Sequence, residues 1–274
     1  MNSSTTLYIL SIILIISSCT SNQPTPSNEA IPTSDSLPQK NTPLQTPSTT
    51  TQDTEDKYQV YAGSFDDGYL HVVMRLAFTD TDVKGSYFYS KKGKEINLSG
   101  KKHPTKNIWE ITETVKGKTT GFFKLEKDGN RLNGTWLAPN STTDPLYLSV
   151  EALDANYDPE FALSGLYLNE HEILDEPEDE FVSATDELQI NRIDDQYLSF
   201  FYTTLCTNYH TGQISGLAKF VAPDSAVFQS NIPDEEVCIL SFKFKGKDVN
   251  VTEGGDCSYY KGARAWFENS LSKK

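Results

Sequence analysis

Helical periodicity is missing from this 274-residue chain: nowhere do apolar residues recur at a spacing of three to four long enough to predict a helix. Histidine is sparse. His71, His103, His171 and His210 form neither an H-x-H nor an H-E-x-x-H spacing, so the common zinc-site signatures are absent. Gly212-Gln213-Ile214-Ser215-Gly216 places its serine one position late for a G-x-S-x-G nucleophile elbow, and no helical pattern follows. Asp80, Asp82 and Gly85 hint at a calcium loop, but Lys84 interrupts the ligand series, and a turn between strands explains them better. Positive charge is also short: 24 Lys and Arg against 38 Asp and Glu give a net charge of −14. Such a field disfavours nucleic acid and anionic membrane faces, and leaves a cationic protein or a divalent ion as electrostatically allowed partners. The conspicuous apolar run, Leu7–Ile16, has ten residues, well short of the ~20 needed to span a bilayer.

That run ends in Ile16-Ser17-Ser18-Cys19: a branched aliphatic residue, two small residues and a cysteine. The segment resembles the lipobox of bacterial lipoproteins. The resemblance implies a signal peptide over residues 1–18, cleavage before Cys19, and acylation of Cys19 as the anchor to a lipid bilayer. The pattern departs from the usual one in having no Lys or Arg among residues 1–10. Thr20 stands where an Asp commonly retains such proteins in the inner membrane, so the resemblance points to the outer membrane.

Residues 20–57 change composition completely. Six of the 13 prolines fall here, Ser, Thr, Asn and Gln fill most of the rest, and no aromatic residue occurs. With nothing apolar to offset the entropy of ordering, this stretch is predicted to be an extended linker behind the lipidated cysteine, together residues 19–57. Charge then divides unevenly: residues 58–157 carry a net +1 and residues 158–274 a net −12.

Both later regions read as strands. In the first, Tyr58–Phe65, Tyr69–Phe78, Val83–Tyr89, Lys94–Gly100, Asn107–Val115, Lys118–Glu126, Arg131–Leu137 and Pro145–Leu153 are rich in β-branched and aromatic residues. Asp66-Asp67-Gly68, Lys91-Lys92-Gly93, Lys116-Gly117 and Asp128-Gly129-Asn130 punctuate them as compact turns. In the second, Ala162–Asn169, Thr185–Ile193, Gln196–Leu205, Gly212–Val221, Ala226–Ser230, Glu236–Phe244, Lys247–Thr252 and Arg264–Phe267 are the candidates. The predicted fold is all-β: an antiparallel meander forming two barrel-like, calycin-like modules at 58–157 and 158–274, with one continuous sheet as the rival.

Two further resemblances attach to these strands. Val83–Tyr89, Ile96–Gly100 and Leu132-Asn133-Gly134-Thr135-Trp136 are similar to a pattern of uncharacterised bacterial envelope lipoproteins. Cys238–Phe242, Val249-Asn250-Val251, Asp256-Cys257 and Gly262-Ala263 resemble β-modules of lysozyme-inhibitor-like periplasmic proteins. Neither carries an inhibitory loop or a lipid-carrier signature onto particular residues.

Export to an oxidising compartment favours a disulfide among Cys206, Cys238 and Cys257. Three single pairings exist. The strand from Glu236 turns at Gly246 and returns beside its own start, which favours Cys238–Cys257. Cys206 is then an odd thiol on a face with Leu198, Phe200 and Tyr202, expected to be buried and inert. The candidate binding segment is Glu170–Glu180, read as a long loop carrying Glu170, Glu172, Asp175, Glu176, Glu178, Asp179 and Glu180 beside His171. Carboxylates in such a loop suit a cationic protein, for example a lysozyme-like hydrolase, or Ca²⁺, or nothing beyond solvation. The expected function is non-enzymatic protein binding in the cell envelope, without a cofactor, a catalytic residue or a committed metal site. A small-ligand barrel of calycin type and a hydrolase with its site between the modules are the alternatives.

Overall fold

The computed structural model describes residues 57–68, 70–157 and 162–274. The expected signal peptide (residues 1–18), Cys19 and the expected linker as far as residue 56 lie outside the described residues. Sixteen strands form two closed antiparallel barrels of eight. The first runs β1 (Gln59–Phe65), β2 (Leu70–Phe78), β3 (Asp82–Tyr89), β4 (Ile96–Lys102), β5 (Trp109–Val115), β6 (Lys118–Asp128), β7 (Arg131–Leu137) and β8 (Leu146–Leu153). Each strand pairs with the next, and β8 closes on β1 from Val60↔Leu153 to Phe65↔Leu148. The second runs β9 (Gly165–Asp175), β10 (Glu180–Arg192), β11 (Tyr197–Cys206), β12 (His210–Ala222), β13 (Ser225–Gln229), β14 (Cys238–Lys245), β15 (Asp248–Gly255) and β16 (Asn269–Lys273). It closes where β16 meets β9 at Ser272↔Leu168 and Lys273↔Tyr167.

The period-two alternation that builds strands also fills the barrels. Tyr61, Phe65, Met74, Leu76, Tyr87, Ile111, Phe123 and Leu125 point into the first. Tyr167, Leu188, Phe200, Tyr202, Phe242 and Phe267 fill the second. Large side chains leave each interior a packed core, with aromatic pairs such as Tyr87–Phe123 (5.5 Å) and Phe200–Phe242 (4.9 Å) in ordinary contact geometry.

One carboxylate sits inside the first barrel. Glu113 follows Trp109 and Ile111 on the inward face of β5, and its oxygens accept hydrogen bonds from Tyr87 (2.7 Å), Trp136 Nε1 (2.8 Å) and Thr120 (2.6 Å). Gly121 makes the indole contact available, because a Cβ there would overlap the Trp136 ring. In the second barrel Asp186 plays the equivalent part, accepting from Leu205 N (3.0 Å), Asn169 (3.3 Å) and Asn269. A buried carboxylate with several donors keeps its place; losing them would leave a desolvated charge.

Three strands of the first barrel break the one-face-wet rule. Val60-Tyr61-Ala62, Val72-Val73-Met74 and Ser86-Tyr87-Phe88 are buried on both faces. Their outward members Val60, Ala62, Val73 and Phe88 meet Ile193, Tyr197 and Leu217 of the second barrel in a third apolar cluster. Polar contacts fix the register of this join. Asn191 Nδ2 donates to Ser90 O (2.8 Å), and the Ser90 and Ser199 hydroxyls hydrogen-bond to each other. Gly93, at φ 59°, brings its turn so close to Asn191 that any Cβ would overlap the amide oxygen. Asp194, in the β10–β11 turn, accepts from Gln196 N, Tyr197 N and Asn156 N, tying the connecting segment down as well.

Two local expectations are corrected. Arg264–Phe267 is not a strand; β16 starts at Asn269. Buried Ala265 and Phe267 alternating with exposed Trp266 imitate a strand, but Phe267 instead plugs the second core beside Tyr202 (5.5 Å), its N–H held by Glu253 (2.9 Å). The acidic segment Glu170–Glu180 is not a long loop but the paired end of the β9–β10 hairpin.

Cys238 and Cys257 form a disulfide, and Cys206 is free and buried. The bridge spans a sequence separation of 19. Replacing both half-cystines by Ser is expected to cost about 3 kcal/mol of unfolding free energy in the chain-entropy account, read from the urea midpoint without reductant. An unchanged midpoint would show that the bridge contributes nothing to stability.

Candidate functional site

The hairpin positions its seven carboxylates differently from a loop. Pairing runs unbroken from Glu180↔Asp175 to Ile190↔Gly165, leaving Glu176–Asp179 as the turn, with Asp179 left-handed at φ 51°. Its tip is clamped. Glu176 N–H donates to Asn208 Oδ1 (2.7 Å), and the Glu176 carboxylate accepts from Asn208 Nδ2 (2.6 Å) and Arg264 (2.7 Å). The Arg264 hydrogen bond, then that of Asn208, holds the Glu176 carboxyl below the usual carboxylate range. Tyr209 donates to Asp175 at 3.2 Å. Asp175 and Glu176 therefore serve the fold. Glu178, Asp179 and Glu180 are exposed around the turn, and Glu170 and Glu172 are exposed on the outward face. His171 points the other way, 3.3 Å from Asp186. Among the described residues no three His, Cys, Asp or Glu converge to hold a metal ion.

Burial raises the Cys206 thiol pKa, which suits an inert side chain rather than a nucleophile. No helix among the described residues is long and apolar enough to cross a membrane.

A larger feature lies where the barrels meet. A cleft of about 970 Å³ takes one wall from Gly63, Ser64, Asp66, Gly68 and His71 of the first barrel. The other wall comes from the second: Gln213–Leu217 of β12, Phe228 and Gln229 of β13, and the neighbouring Asn231, Ile232, Pro233, Tyr259 and Tyr260. The volume sits at the upper end of the range usual for small-molecule sites. Its chemistry is uniform: amides, hydroxyls, aliphatic groups and tyrosines, with Asp66 the only carboxylate and no Lys or Arg among the described residues of the wall.

His71 is the titratable group that matters there. Its Nδ1 lies 2.8 Å from Ser90 Oγ, and the Ser90 N–H donates to the His71 carbonyl (3.0 Å). Ser90 in turn meets Ser199 across the barrel join, so one hydrogen-bonded chain links the cleft wall to the core of the interface. Burial pushes the imidazole pKa down to about 4, leaving it neutral at pH 7. Both serines are fully buried behind it and do not line the cleft. A His and a Ser are adjacent here, but the hydroxyl faces the barrel join rather than a substrate.

Sequence reasoning did not single out this cleft. Its wall comes from segments far apart in the chain, and His71 belongs to no spacing motif. The available signal was the doubly buried runs in β1, β2 and β3, which mark the face where a second body must dock.

No family model, curated protein or solved structure matches the chain.

The His71 environment has a pH consequence. The unfolded imidazole takes up a proton near pH 6.5, whereas the folded one resists to about pH 4. Its contribution to stability is therefore complete above pH 6.5 and lost as pH falls toward 4. The loss is up to roughly 3 kcal/mol by linkage, less whatever solvent at the half-buried ring screens. His71→Gln is expected to flatten the fall of the urea midpoint between pH 6.5 and 4 relative to wild type. Parallel pH profiles would contradict the assignment.

Proposed function

We propose that the chain is a lipid-anchored protein of the bacterial cell envelope, held through Cys19 in the outer membrane, that acts by binding rather than by catalysis. The binding site is the inter-barrel cleft. One observation carries this reading: both barrel interiors are filled by their own large side chains, while the two barrels jointly enclose about 970 Å³ of solvent lined by convergent polar and aromatic groups. Filled interiors speak against a ligand carried within either barrel. The buried position of Ser90 and Ser199 speaks against a hydrolase using the His71 pair. A linker rich in proline would lift the barrels from the bilayer and leave the cleft open to the envelope space.

A second reading rests on the outward face of the β9–β10 hairpin. Glu170 and Glu172 share that face with Thr185, Ser183 and Glu187, and Phe181 stands 70% exposed near the tip. Carboxylates around an exposed aromatic suit a cationic protein surface, with rim charges acting mainly on the rate of encounter.

A palmitate analogue is expected to label the wild-type protein in cells and not Cys19→Ala; labelling of both would remove the anchor. A photo-crosslinking amino acid at position 259, in the cleft wall, is expected to capture envelope material that the same group at position 122 does not. Phe122 lies on β6, diametrically across the first barrel from β2. Equal capture at both positions, or none at 259, would refute the cleft as the site.

A further inference from the structure

The second barrel is unevenly zipped. β11 and β12 pair continuously over ten positions, from Tyr197↔Lys219 to Cys206↔His210. On its other side, β12 meets β13 only at Lys219↔Val227, Phe220↔Ala226 and Ala222↔Ser225, with a register shift between Phe220 and Ala222. One isolated bridge, Gly212↔Lys261, caps the far end. Between these points, residues 213–218 have no strand beside them on that edge. Gln213–Leu217 is the part that lines the inter-barrel cleft, and Gln229, at the end of β13, lines it from across the gap.

The direction of the free backbone groups follows from the hydrogen bonds at either end. The Thr211 carbonyl accepts from Gly262 N (3.0 Å), on the side away from β11. Phe220 N donates to Gln196 O (2.8 Å), on the β11 side. Successive residues of a strand alternate the side to which they send both N–H and C=O. Thr211 and Phe220 differ in parity, so both bonds define one pattern: Gln213, Ser215 and Leu217 aim their N–H and C=O into the cleft. Ile214 and Gly216 aim theirs at β11. The gap is sealed from the core behind it. Phe228 lies across Gly216, where any Cβ would run into its ring.

A free strand edge is ordinarily a hazard, blunted by charge, proline or cover. Here Gln213–Leu217 contains neither charge nor proline, and its cover is a cleft rather than a strand. Amides and hydroxyls in the wall would suit many polar ligands. A ladder of alternating backbone donors and acceptors is matched in full only by another extended backbone. We propose that the cleft captures an extended peptide segment by β-strand addition to the free edge of β12. The inference rests on the cleft being the binding site. Residues 213–217 offer a partner run of roughly five residues, with main-chain bonds supplying affinity and side-chain pockets supplying selectivity. Among the described residues Asp66 is the only charged one in the wall and no Lys or Arg answers it, so the segment fitted by this edge lacks Asp and Glu. Tyr260 and Ile232 offer apolar surface to its side chains.

The test selects short randomised peptides against the full-length protein in detergent micelles, with the neutral oligosaccharide chitotetraose as a parallel probe. Amide hydrogen exchange is the readout. Selected peptides are expected to slow exchange at Gln213, Ser215 and Leu217 by about tenfold or more, and to change Ile214 and Gly216 little, because those amides already bond to β11. Ser215→Pro removes one cleft-facing N–H without touching the β11 ladder and should abolish capture, while Ser215→Ala keeps the N–H and should retain it. If Ser215→Pro does not fold, the wild-type exchange pattern decides alone. Peptide binding without protection of these amides overturns strand addition. Chitotetraose binding in the cleft with no peptide enriched overturns it too, and leaves the cleft standing as a site. Neither probe binding, together with no cross-link from position 259, overturns both readings.

Discussion

One join locks the two barrels together and sets the shape of the cleft beside it. A turn carrying Ser90 and Gly93 docks on Asn191 and Ser199, and the outward faces of β1, β2 and β3 supply Val60, Ala62, Val73 and Phe88 to a shared apolar cluster. Had these positions been polar, the first barrel would be an ordinary solvated meander and the chain two bodies on a string. Because they are apolar, exposing them costs free energy, at roughly 25 cal/mol for each Å² of apolar surface returned to water. The cleft exists because two convex barrels joined along one face must diverge elsewhere. His71, Ser90 and Ser199 run as one hydrogen-bonded chain from that cleft into the join, so the wall and the join hold each other in place.

Among the described residues each barrel also keeps one carboxylate inside its core, Glu113 in the first and Asp186 in the second. Buried charges of this kind add little net stability compared with apolar replacements, but they hold particular donors in particular places. Asp186 draws together β9, β11 and the start of β16 through Asn169, Leu205 N and Asn269, across the place where the second barrel closes. Closure there otherwise rests on two β16–β9 residue pairs and the Lys274 N–H donating to Leu166 O (2.9 Å).

Much of this architecture was legible in the residues, and the failures have physical causes. Short alternating runs separated by Gly- and Asp-bearing turns locate the strands of the first barrel to within a residue or two, because a hairpin meander is specified locally. Cys238–Cys257 follows from the same logic: adjacent antiparallel strands bring the ends of a hairpin together. The acidic segment reads as a loop because seven carboxylates in eleven residues hide the β-forming Ile173 and Leu174, which pair with Val182 and Phe181. Clamping by Asn208 and Arg264, both distant in sequence, then holds the hairpin to its tip. Arg264–Phe267 has strand-like alternation that serves a plug. The gap between β12 and β13 lay beyond sequence reasoning, since a strand's own residues do not record how far its neighbour follows it.

The two barrels form one cooperative body, and their join creates the cleft. Differential scanning calorimetry of the wild-type protein beside Gly93→Val, whose side chain would overlap Asn191, shows whether they unfold together. A single transition is expected for the wild type, with calorimetric and van't Hoff enthalpies equal, and two separated transitions or a markedly lower midpoint for the variant. Two independent transitions in the wild type, unmoved by Gly93→Val, would contradict it.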